Sequence, residues 1–149
     1  KTRSLLDKEI IFHQQDCSES WKIGQNSLDL VFTSNFFEHL PNKESLDHTM
    51  GEIRKALKPG GRLIAMGPNI IVLKGQYWDF WDHHVALSEQ SLCELIQIHD
   101  FTIEQSYSKF LPYNMVRAKE RPLFLLSIYL RFPFLWKLFG KQFFIVAKK

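Results

Sequence analysis

Long unbroken hydrophobic runs are missing from these 149 residues. The nearest approach, PLFLLSIYLRFPFLWKLF from Pro122 to Phe139, is interrupted by Arg131 and Pro133, which argues against a membrane span. Cysteine is scarce. Cys17 and Cys93 stand far apart with no metal-type spacing, which excludes a disulfide framework and fits reduced thiols. The seven glycines are single or paired, so no Gly-x-Gly-x-x-Gly phosphate cradle occurs. Charge of one sign is also lacking: the net charge of +3 is small and scattered, with no Lys/Arg block before the end, which gives no argument for nucleic acid. No signal-peptide pattern opens the sequence, so a cytoplasmic location is expected. Internal repeats, low-complexity tracts and interdomain linkers are absent, and the length suits one domain with one core.

Aromatic side chains are abundant, with thirteen Phe and four Trp. They suit either a rich core or a site for a greasy or planar ligand. Apolar patterning alternates strands with helices. TRSLLDKE reads as a helix end, IIFHQQD as a strand closing on Asp16, and LDLVFTS as a strand covered on both faces. Leu46, Met50, Ile53 and Leu57 recur at helical spacing between Lys43 and Leu57. KPGG ends that helix, and RLIAMG is the next buried strand. The long segment PNIIVLKGQYWDFWDHHVAL follows, and loops of that length are usually functional. Ser88 is placed to cap a helix over EQSLCELIQIH, with Leu87 and Leu92 as a hydrophobic staple. FTIEQSYSKFLP is a strand, residues 113–139 a helical insert split near Pro133, and KQFFIVAKK a last strand. This order implies an α/β sheet with helices on both faces and ligands at the carboxyl ends of its strands.

Four segments in order and spacing carry a resemblance: QQDCSES, LDLVFTSNFFEHLPN, LDHTMGEIRKALKPGGRLIAMGPN and DHHVALSEQSLCELIQIHDFTIEQS. Together they resemble the second half of the class I S-adenosylmethionine-dependent methyltransferases, over roughly the first two-thirds of the chain. The ending LPYNM...P...IYLRFP...W.LFGKQ looks like bacterial members linked to surface-polysaccharide or small-molecule modification. The resemblance implies a Rossmann-like methyltransferase sheet, mostly parallel with an antiparallel last strand. It implies S-adenosylmethionine as cofactor and a small-molecule or glycan methyl acceptor. Asp16 and Cys17 match the acid and small residue that contact the adenine. Asn35 and Phe36 match the loop bordering the methionine part of the cofactor. The family's glycine-rich loop and acidic second strand find no match. The 149 residues therefore read as the part of a larger parent enzyme that begins after the second strand, inactive alone. A non-catalytic module of the same fold, completed by a partner, is the competing reading.

Two expectations follow for the sheet and four for the site. Residues 10–15 are expected to pair with residues 28–34, or else the bare edge to pair with a second copy in a homodimer. His39, His83 and His84 are the candidate bases. Glu38 is read as starting a helix rather than as chemistry. Tyr77, Trp78 and Trp81 are candidate walls of a substrate-facing lid, against aromatic packing over the sheet. The acids and adjacent histidines of YWDFWDHH could ligate a metal, but neighbouring histidines rarely converge on one ion, so none is expected. The insert from 122 to 139 is expected to cover one sheet face, with peripheral membrane contact as the alternative.

Overall fold

The computed structural model describes residues 11–113 and 123–149. The expected N-terminal helix end at residues 2–9 lies outside them. Four strands form one sheet: β1 (Leu28–Ser34), β2 (Leu57–Pro68), β3 (Thr102–Tyr107) and β4 (Gln142–Lys148), in the order β1-β2-β4-β3. β1 and β2 are parallel, while β4 runs antiparallel to both β2 and β3. Three strands thus share one direction and the last opposes them, as the resemblance implied.

Helix α1 (Lys43–Ala56) begins where Asn42 accepts the backbone N–H of Ser45 at 2.8 Å. Its stripe of Leu46, Met50 and Ile53 is buried against the sheet with Leu57. Gly60, at φ +80°, supplies the left-handed residue within β2 where its register against β1 shifts. Ser88 caps α3 (Glu89–Ile98) through a capping box with Ser91, and Leu87 and Leu92 are both buried. One face of the sheet, carrying Leu63, Ala65, Ile145 and Ala147, joins these helices in the main core. Paired residues of a sheet share a face, so Phe32, Ile64 and Val146 line the other one.

That other face narrows two expectations. Among the described residues, helices leave its β1 end bare. The insert forms α4 (Leu123–Arg131) and α5 (Pro133–Phe139), split at Pro133 as expected, and it covers that face only at its β3–β4 end. It is seated at one edge: Trp136 packs edge-on against Tyr107 and Phe110, and Tyr129 donates to the Phe110 carbonyl. Leu30 and Phe32 of β1 remain 50% and 59% exposed.

Of the segment 10–15 expected to pair with β1, residue 10 lies outside the described residues and residues 11–15 do not pair with it. Residues 11–16 carry no regular structure, and β1 is a free edge among the described residues. The reason lies in the next turn, which is tied to α1 instead. The Cys17 carbonyl accepts Thr49 Oγ1 at 3.0 Å and Trp21 Nε1 at 2.9 Å, and Trp21 N–H donates to Glu52 at 2.8 Å.

Candidate functional site at the carboxyl edge of the sheet

β1 ends abruptly. Asn35 takes φ +48°, a left-handed conformation that Asn tolerates better than most residues. Its N–H donates to the Met66 carbonyl at 2.9 Å, which holds the turn against β2. The buried side-chain oxygen Oδ1 has no hydrogen bond. Phe37 turns into the core at 3% exposure, and Phe36 packs half-buried beside it, ring centroids 5.7 Å apart. A 3-10 turn (Phe37–His39) then aims Glu38 inward.

Glu38 is 1% exposed and neither carboxylate oxygen has a hydrogen bond. Burial pushes its pKa up to about 7. Gly67 makes room for it, since a Cβ there would stand 3.4 Å from Glu38 Oε2 and 3.0 Å from the Phe143 ring. His39 lies alongside, its Nε2 3.8 Å from Glu38 Oε1. The Asp82 carbonyl lies 2.9 Å from His39 Nδ1 and can only accept, so Nδ1 carries a proton. Nε2 of the neutral ring is then the free base.

His83 joins this pair from the long loop. The amides of His84 and Val85 both donate to the Glu38 carbonyl, at 2.8 and 3.1 Å, and this clamps the loop to the end of β1. His83 is buried, its ring 5.1 Å from that of His39, and burial lowers its pKa. Tyr113 Oη lies 3.3 Å from His83 Nε2, and burial raises the Tyr113 pKa to about 12. The structure therefore brings His39 and His83 together and leaves the His84 side chain exposed.

The expected lid residues divide. Tyr77 is fully buried, and its hydroxyl donates to the Val85 carbonyl and accepts the Leu87 N–H. It braces the loop from within rather than forming a wall. Trp78 and Trp81 are 52% and 97% exposed. The loop itself contains a short helix α2 (Ile70–Leu73) and a 3-10 stretch (Lys74–Asp79), so it is less irregular than its sequence suggested. Asp16 is exposed and accepts both the N–H and the hydroxyl of Ser18, which holds its carboxyl below the usual range. Cys17 is partly buried, and its thiol pKa is raised by burial.

Among the described residues, seven buried side-chain polar atoms have no hydrogen bond. Six of them belong to Thr33, Asn35, Glu38, His83 and Gln142, all at one end of the sheet; Gln142 pairs with Pro68, the last residue of β2. Orphaned polar atoms are rare in folded proteins and call for a partner. Glu38, His39 and His83 also place one ligand atom each within 4.8 Å of one another, close enough to share a small cation. Sequence reasoning overlooked Tyr113, weighed Asp82 only as a metal ligand and read Glu38 as structural. Each meets the cluster through contacts between distant segments, which no local pattern signals.

A family described as a methyltransferase domain matches residues 1–65. No curated protein matches the chain. Among solved structures, a chain of the Haloferax volcanii complex between the Trm112 methyltransferase activator and a methyltransferase aligns with TM-score 0.67 at 15% identity, covering 98% of this chain and 65% of that one. A S-adenosylmethionine-dependent methyltransferase from Mesorhizobium loti aligns at 0.66 and 15% identity, with coverage of 99% and 74%. One from Archaeoglobus fulgidus aligns at 0.59 and 18%, with coverage of 85% and 62%. The chain thus spans between 62% and 74% of the length of these three relatives. The fold is that of the class I S-adenosylmethionine-dependent methyltransferases.

Proposed function

We propose, from that fold as premise, that the chain is the acceptor-side part of a S-adenosylmethionine-dependent methyltransferase acting on a small molecule or glycan. The observation that carries this reading is the concentration of orphaned buried polar atoms at the carboxyl edge of β1 and β2. Ligands of open α/β sheets bind at such edges. The residues present fit the cofactor: Asn35 keeps an unpartnered acceptor, Phe36 offers a partly exposed ring, and Asp16 is exposed in the position the resemblance assigns to adenine. When bound, the cofactor supplies an electrophilic methyl group on a sulfonium.

His39 is the proposed base. It is about one-third exposed, its Nδ1 is committed to the Asp82 carbonyl, and Nε2 is free to take a proton from the acceptor. Glu38 Oε1, 3.8 Å from that Nε2, stabilises the imidazolium that results. His83 orders the other wall, while Trp78 and Trp81 offer flat apolar surfaces to the acceptor. His84 is not part of this arrangement.

The glycine-rich loop that grips the rest of the cofactor is not among the 149 residues, and the proposal places it elsewhere in the parent enzyme. The bare edge of β1 is where its strands would pair. The same missing loop favours the second reading, a non-catalytic module of this fold. Calorimetry with S-adenosylhomocysteine on the natural full-length protein separates the two. Binding that weakens at least about tenfold in Asp16→Ala supports the enzyme, since tenfold corresponds to about 1.4 kcal/mol. No binding overturns it. His39→Gln is expected to lower kcat by about a hundredfold and leave that binding unchanged.

A further inference from the structure

The pair α4–α5 carries the largest group of exposed apolar side chains among the described residues. Nine large apolar side chains from Phe124 to Phe139 are exposed, among them Phe124, Ile128, Phe134, Leu138 and Phe139. From Phe124 to Arg131 every residue of α4 is exposed except Tyr129, which is half-buried. A helix apolar on every side is normally buried in protein or in lipid. It is not a membrane span, because no described helix is long and apolar enough to cross a bilayer. Nor is the pair loosely placed. Trp136 Nε1 donates to the Tyr129 carbonyl at 3.0 Å, and the ring is seated between Tyr107 and Phe110. The apolar surface is therefore presented outward from a fixed base.

Charge identifies what meets it. From residue 105 onward the sequence holds nine Lys or Arg and one acid, Glu120; the first 104 residues hold ten basic and fifteen acidic residues. The small net charge of the whole chain conceals this asymmetry. Arg131 and Lys137 lie on the two helices, and Lys109 reaches the Lys137 carbonyl at 3.3 Å. Exposed aromatic and aliphatic side chains flanked by Lys109, Arg131 and Lys137, with no acid on either helix, are the composition of a segment lying in an anionic lipid interface.

We propose that α4–α5 docks the protein on an anionic membrane surface, with the apolar side chains inserted at headgroup depth and the cations on lipid phosphates. This does not rest on the methyl-transfer reading. The test is co-sedimentation of the full chain with vesicles of phosphatidylcholine alone or containing about a third phosphatidylserine, at 0.15 M salt. Binding to the anionic vesicles is expected, weaker by about tenfold on neutral ones. Phe134→Glu with Leu138→Glu should abolish it, and Arg131→Gln with Lys137→Gln should weaken it about tenfold. All four side chains are exposed, so folding is preserved, and circular dichroism checks this. Failure to bind anionic vesicles, or binding indifferent to both variants, overturns the proposal. So does light scattering that shows a dimer split by the Glu variant without any vesicle binding, which would give the face to a second copy.

Discussion

Glu38 and Glu52 are both buried carboxylates, and their surroundings differ in every respect that matters. Glu52 sits under the 16–22 turn and accepts the Trp21 N–H at 2.8 Å and Lys55 Nζ at 2.5 Å. These partners lower its pKa, Lys55 first. Glu38 has burial without any hydrogen bond, and its pKa rises to about 7. A carboxylate that holds structure is satisfied by the protein. One left unsatisfied at a ligand edge is held for something else.

The two acids also give opposite pH slopes. The folded pKa of Glu38 lies above its unfolded one, so the unfolded chain loses its proton first as pH rises. Stability is then full below the ordinary value of 4.5 and falls until about pH 7. Glu52, shifted down, contributes stability above its unfolded value and loses it as pH falls through the folded one. Denaturant titration across pH should therefore show a maximum on the acid side of neutrality.

The largest effect that could break this comparison is expected in Glu38→Gln. The span from 4.5 to about 7 corresponds to a penalty of about 3 kcal/mol at neutral to alkaline pH. The amide removes the charge but leaves its own polar atoms without partners, which returns part of the gain. A net stabilisation of about 2 kcal/mol at pH 8 is expected by urea unfolding, with the decline between pH 4.5 and 7 abolished. A variant less stable than wild type at pH 8 would show that the carboxylate already has a partner in solution.

Glu52→Ala should do the reverse. It strands the Trp21 N–H and frees the turn that carries Asp16 and Cys17, at a cost of about 2 kcal/mol. Equal stability of variant and wild type at pH 7 would mean that the turn is held by the Thr49 and Trp21 bonds to Cys17 alone. Gly67→Ala comes next. Its Cβ would meet the buried Phe143 ring at 3.0 Å and Glu38 at 3.4 Å, so about 1 kcal/mol of overpacking is expected in thermal unfolding. A neutral change would mean that Glu38 moves freely.

These outcomes bear on what the sequence could reveal. α1, the Ser88 cap and the break at Pro133 were legible because each is local: a stripe at helical spacing, a hydroxyl before a helix, a ring that cannot continue one. The run in β1 was legible as a strand, but not its exposed face, because Leu30 and Phe32 read as buried in any apolar run. The strand expected at residues 10–15 fails because its neighbours bond to α1. Likewise, Glu38 looked like a helix start because its burial depends on Gly67, and its company on a loop clamped by His84 and Val85 amides. Asn35 was singled out from its position at the strand end, though nothing in sequence showed that its side-chain oxygen lacks a bond.

Asn35 gives the smallest expected effect on stability and the sharpest distinction. It belongs with Glu38 at the same edge, yet a purely backbone explanation exists, since φ +48° alone favours Asn over most residues. Asn35→Gly isolates the side chain. Glycine adopts that φ without steric cost but loses more chain entropy on folding, and the removed side chain was making only a 3.3 Å contact to Ser34. These terms oppose each other, so unfolding free energy should change by no more than about 0.5 kcal/mol. If the orphaned Oδ1 awaits a ligand, S-adenosylhomocysteine affinity of the full-length protein should still fall about tenfold, the loss of about one well-made hydrogen bond. Unchanged affinity would reduce Asn35 to a turn residue and leave Glu38 and its histidines as the one functional group at this edge.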